Sequence, residues 1–197
     1  KRTVVTKRRM SNREEDSFVA GSPADRIGLV WFLTREAVSL GTRYVLNEDY
    51  KEMLHALCAE KAKFLLVGAY AMAAHGYPRA TVGLDIWGYA VAENADAVLR
   101  ALARFGASMD ELTREDLQQA GIVFQIGVAP VELNHYNRVG LRFDDTFANS
   151  ISVDIEGIPI RIPSLDDLIR NKRATGRTKD LVDAEALERL KFRDQIA

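Results

Sequence analysis

"KFLLVGAYAMAAHGYPRATVGLDIWGYA", residues 63–90, decides how this chain folds. Phe64 to Val67 is a continuous apolar run of strand length. Gly68-Ala69 interrupts it, and an alanine-rich stretch follows that reads as a short helix stopping near Gly76. From Arg79 the texture is again that of a strand. Side chains alternate across a strand, so Val82, Leu84 and Ile86 are expected on a core face. Thr81, Gly83, Asp85 and Trp87 are expected on the opposite face, toward a cleft or solvent. A carboxylate in that setting suits a hard cation such as Mg²⁺, and an Asp-x-Asp pair would put two on one face. Here Gly83 supplies none, and Asp85 also reads as an ordinary polar-face residue.

Downstream, "ENADAVLRALARFG" is an amphipathic helix closed by Gly106, with Ala95, Val98, Leu99, Leu102 and Ala103 on one side. "TREDLQQAG" reads as a short helix capped by Thr113. "IVFQIGV" and "VELNHYN" read as strands parted by Ala129-Pro130, and "ISVDIEGIPIRIP" as a hairpin turning at Glu156-Gly157. Ser164 as N-cap, Asp167 at N3 and Gly176 past the end delimit the next helix. Thr178 is expected to cap a last helix running to about Arg189. Upstream, Glu48 to about Lys61 carries Met53, Leu54, Leu57 and Cys58 inward. Ser22 and Pro23 open a helix in which Ile27, Val30, Trp31, Thr34 and Val38 follow helical spacing. The reading is an α/β (α+β) chain with a small mixed sheet flanked by helices. Residues 1–20 are expected as a poorly ordered tail, 21–46 as an N-terminal helical extension and 47–197 as the main domain.

Among the 197 residues 47% are hydrophobic and the net charge is −1, which gives no general attraction to nucleic acid or anionic lipid. Any such contact needs a local patch; the basic run Lys1 to Arg9 could be an arm touching RNA or a solvated tail. Cys58 is alone, so no internal disulfide forms, and the chain shows no signal-like or membrane-length apolar segment. A cytoplasmic location is the expectation. His55, His75 and His135 show no zinc-type spacing. The chain begins at Lys1, with Met10 an alternative natural start.

The strand, "VGAYAMAAHG" turn and helix, and "YPRATVGLDIW" strand together resemble the opening of the minimal nucleotidyltransferases of the DNA polymerase beta superfamily. The likeness is greatest to small bacterial nucleotidyltransferase-like proteins linked to toxin–antitoxin systems. It extends over roughly Tyr50 to Leu190, through "SLDDLIRNKRATGRTKDLVDAEAL". The resemblance implies a nucleotidyltransferase fold and Mg²⁺-dependent transfer of a nucleoside monophosphate from an NTP. It also implies a glycine turn through which phosphates approach the backbone, paired carboxylates for the metal and a third carboxylate on a neighbouring strand. Gly68 matches the first turn glycine, and Ala69 stands where Gly or Ser is expected, adding one methyl. Gly83 stands at the first Asp, Asp85 matches the second, and Glu132 in "VELNHY" stands at the third. Asp85 and Glu132 are thereby the implied catalytic and metal-binding residues, with one ligand absent.

Lys172 continues the apolar stripe of Leu165, Leu168 and Ile169. An inward lysine suits a phosphate contact, or equally an ion pair with Asp180 or Asp183, which begin the inner stripe of the last helix. Arg79 is a phosphate-binding candidate in a turn. Arg170, Arg173, Arg177 and Lys179 form either a nucleotide- or RNA-facing patch or a solvated helix end. His75 reads as a phosphate contact or a capping residue, and Trp87 as a base-stacking platform or simple packing. The expected acceptor is an RNA end (tRNA) or a protein hydroxyl, within a toxin–antitoxin module. The alternative is an inactive relative that binds a nucleotide or a protein as a regulator. A small-molecule acceptor of aminoglycoside type is a third class, disfavoured by the lack of an obvious acceptor-binding domain. The N-terminal helix could act as an antitoxin-like segment, form a homo-oligomer interface or simply complete the core.

Overall fold

A computed structural model of the protein describes residues 5–9, 46, 48–77, 81, 83–109, 112–119, 122–126, 131–134 and 140–196; for 5–9, 122, 131–134 and 193–196 it describes the backbone. The expected helix over 21–46 lies outside the described residues, apart from Leu46. So do Arg79, Val82 and His135.

Strands β1 (Val5–Arg9), β2 (Phe64–Leu66), β3 (Leu84–Gly88), β4 (Ile122–Ile126) and β5 (Val131–Asn134) form one sheet in the order β1-β4-β5-β3-β2. The β3–β5 pair is parallel and the others antiparallel, so the sheet is mixed, as expected. Helices α1 (Glu48–Ala59), α2 (Gly68–Ala74) and α3 (Ala92–Phe105) surround it. A short helix α4 (Phe143–Ala148) precedes the hairpin β6 (Ile151–Ile155) and β7 (Ile158–Ile162), a separate two-stranded sheet. The chain closes with α5 (Leu165–Thr175) and α6 (Thr178–Ile196).

Burial follows the alternation of the strands. Phe64, Leu66, Leu84, Ile86, Phe124 and Ile126 point into the main core, where Met53, Leu54 and Leu57 of α1 meet Val98 and Leu102 of α3. The inner residues of β7, Ile158, Ile160 and Ile162, close the same core. The other face carries a smaller cluster of Leu65, Val67, Trp87, Leu141 and Phe143.

Several local expectations hold for the reasons given by their chemistry. Ser164 Oγ accepts from the Asp167 N–H at 3.2 Å and donates to Asp167 Oδ2 at 2.9 Å, and Gly176 ends α5 in the left-handed region. Glu156 and Gly157 both have positive φ, the geometry whose twist suits a two-residue hairpin.

Others are corrected. Val5–Arg9, within the expected tail, is an edge strand; its β-branched start pairs with β4, and a basic edge discourages further strands from adding. Leu46, the last residue of the expected extension, is buried in the main core. Ala103 is exposed, and Ala97 and Ala101 take the buried face of α3. The segment after Thr113 is a single 3-10 turn, Asp116–Gln118, because Thr113 and Asp116 bond each other's backbone N–H and tighten it. Thr178 is the first residue of α6; the Arg177 carbonyl accepts from Leu181, and the helix runs past Arg189 to Ile196.

Candidate functional site

The chain turns from β2 into α2 at Gly68, which has φ +64°, a conformation that L side chains rarely adopt. Space demands glycine as well. A Cβ placed there would lie 2.0 Å from Asp85 Oδ2 and 2.9 Å from its Cγ. The Asp85 carboxylate therefore rests against the bare Cα of Gly68. The backbone fixes this meeting, since the Val67 N–H donates to the Asp85 carbonyl at 2.9 Å.

Register brings the second acid alongside. Across the parallel β3–β5 pair Asp85 is level with Glu132, and across β4–β5 Glu132 is level with Gln125. Gln125 is in turn level with Thr6 of β1. One row across four strands thus consists of polar residues, while the next row on the same face carries Trp87, Asn134 and Val123. Gln125 was not singled out from the sequence; its signal was a lone polar residue in an otherwise apolar strand.

Gly83 does not occupy the strand position expected of it. It sits in a bend just before β3, where the Thr81 hydroxyl accepts from its N–H at 3.3 Å and donates to its carbonyl at 3.0 Å. The expected common face of Thr81, Gly83, Asp85 and Trp87 starts only at Leu84, where the ladder begins. Trp87 is 1% exposed, not cleft-facing. Helix α4 covers it: Phe143 meets its ring edge-on at 5.2 Å and stacks on Tyr89 at 4.6 Å. Trp87 is a packing residue. Its neighbour α4 was invisible in the sequence, being too short to show a period.

The other candidates separate. Ala69 is buried at the start of α2. His75 Nε2 lies 2.9 Å from the Pro163 carbonyl and ties α2 to the segment before α5. The Lys172 ammonium is held by Asp180 and, at 3.0 Å, by Asp183, the ion-pair alternative of the two readings. Thr175 adds a 2.9 Å hydrogen bond to Asp180. Burial alone would raise the Asp180 carboxyl, but Lys172 and Thr175 bring it below the usual carboxylate value. Arg170 pairs with Asp167 at 3.3 Å and Arg173 with Glu188 at 2.7 Å, so part of the basic patch serves the α5–α6 contact.

Two carboxylate residues in register are hard oxygen donors suited to Mg²⁺, which binds through one or two carboxylates and completes its shell with substrate phosphates and water. In chemistry the row fits such an ion. Among the described residues no group of three or more His, Cys, Asp or Glu is placed to hold a metal. No described helix is long and apolar enough to cross a membrane.

No family model matches the chain, and no curated protein matches it. Among solved structures it is similar to the antibiotic-resistance factor ANT(2'')-Ia, described as showing substrate-regulated conformation dynamics in solution. The identity is 15%, the match covers 75% of this chain and 91% of that one, and the TM-score is 0.47.

Proposed function

We propose that the chain is a nucleotide-binding protein of nucleotidyltransferase type, acting at a site built on Asp85 and Glu132. The observation that carries this is their register on parallel neighbouring strands beside the side-chain-free Gly68. Registered residues of a sheet face the same side, so the two acids would share one site. They would hold Mg²⁺, which when bound neutralises triphosphate charge. Asp85, resting against Gly68, would offer its carboxylate to the ion from its own strand. The Glu132 carboxylate, one methylene longer than an aspartate, would accept the proton of an attacking hydroxyl or share the ion. The acceptor class follows the sequence resemblance: an RNA end or a protein hydroxyl, in a toxin–antitoxin setting.

A second reading is favoured by Gly83, which lies in a bend outside the strand and carries no acid. Without that ligand the site binds a nucleotide and does not turn it over, and the chain regulates a partner.

Incubation with α-labelled NTPs, Mg²⁺ and RNA or protein acceptors separates the two. Label transfer that disappears in Asp85→Ala supports the enzyme. Transfer only by Gly83→Asp supports the silent relative. Absence of Mg²⁺-dependent nucleotide binding in both proteins would sink the nucleotidyltransferase reading altogether.

A further inference from the structure

Helix α6 turns Asp180, Asp183, Ala184 and Leu187 into the protein and leaves an outer stripe of Val182, Glu185, Arg189 and Phe192. Two of these are large apolar residues in water: Val182 is 56% exposed and Phe192 66%. Between them Glu185 and Arg189 approach within 3.5 Å on the helix surface, both side chains more than half exposed. Single exposed apolar residues are ordinary on a protein surface; what distinguishes these two is that they flank an ion pair on one stripe.

The order of residues says what that contact is. Val182 and Phe192 each lie five positions from Leu187, and Glu185 and Arg189 each lie two positions from it. A two-fold axis at the level of Leu187, on the outer side, would lay a second α6 antiparallel across the first. It would bring each Val182 against the other chain's Phe192 and each Glu185 against the other chain's Arg189. The stripe is therefore its own complement in both charge and apolar surface, which is what an isologous interface requires. We infer that α6 is a homodimerisation helix, pairing antiparallel with α6 of a second copy of this chain. A single helix pair buries less than a standard interface, so the dimer is weak and depends on concentration. All four residues are exposed; Glu185 and Arg189 pair with each other, while the α5–α6 ion pairs among the described residues run through Lys172, Arg173 and Lys191.

Sedimentation velocity on the full chain from about 1 to about 300 μM tests this, spanning the range of weak association. The unaltered protein should pass from monomer to dimer. Glu185→Lys and Arg189→Glu, each alone, face like charges across the axis and should weaken the dimer by about tenfold or more. An equal mixture of those two variants should form a heterodimer tighter than either homodimer, because every cross-axis pair is then attractive. Phe192→Ser, which alters no charge, should also weaken association. Circular dichroism establishes that each variant keeps its helix content. A monomer at every concentration would overturn the inference, whether the stripe meets another protein or another part of this chain. So would a dimer indifferent to Phe192→Ser and to both charge reversals, or a mixture with no gain over its components.

Discussion

At Gly68 two demands coincide: a positive φ and a neighbour that leaves no room for a methyl. Gly68→Ala should therefore destabilise the fold by about 2–4 kcal/mol, combining backbone strain with displacement of Asp85, as read from urea unfolding. Loss of Mg²⁺–nucleotide binding should accompany it if Asp85 is a ligand. Asn94 makes a second point at this scale. Its buried amide donates to the carbonyls of Lys63 and Tyr89 and accepts from the Lys63 N–H at 2.6 Å, fastening α3 to both strands at one end of the β2–β3 pair. Asn94→Ala should lower stability by roughly 2–3 kcal/mol through unsatisfied backbone groups, visible as a lower Tm. The glycine and the aspartate were legible because each breaks an apolar run. Asn94 was not, since its partner Lys63 is 31 residues away and an asparagine in the first turn of a helix looks like an ordinary polar start.

Between elements, the α5–α6 pair is joined by Lys172, whose charge two aspartates share. Removing it leaves two buried acids facing each other, so Lys172→Met should cost about 3–5 kcal/mol. Nucleotide binding by whatever folds should survive, a result that separates a structural lysine from a phosphate ligand. The depressed Asp180 pKa fixes a pH dependence. Its contribution to stability is complete above the unfolded carboxylate value of about 4 and is lost as pH falls through the lower folded value. Thermal melts in acid should show a shallower decline for Asp180→Asn than for the unaltered chain. The caps of α5 and the hairpin turn were legible because capping and turn chemistry are local. The fate of Lys172 could be narrowed only to two readings, since helical spacing shows that a residue points inward and not what it meets. β1 was hidden because its basic residues read as a solvated tail, whereas strand pairing asks only for backbone.

For the molecule as a whole, the fold class and element order could be read from hydrophobic periodicity, while the row from Thr6 to Asp85 depended on strand order, which no single segment encodes. Glu156, at the tip of the β6–β7 hairpin, binds across the fold. It accepts from the Leu46 N–H at 2.8 Å and pairs with Lys51 at 2.6 Å. Beside it, burial and the Glu156 charge push the Tyr70 phenol up to about 12. Glu156→Ala should cost about 1–2 kcal/mol and speed hydrogen exchange in the first turn of α1 more than in α3, separating a local clasp from general weakening. That clasp also sets a timetable for synthesis. Leu46 and Glu156 are 110 residues apart, so a ribosome has made most of the chain before α1 can be fastened at its start. Until then Met53, Leu54 and Leu57 can meet only earlier-made partners such as Val98 and Leu102 of α3, and the core they share stays open on the side that the isoleucines of β7 close.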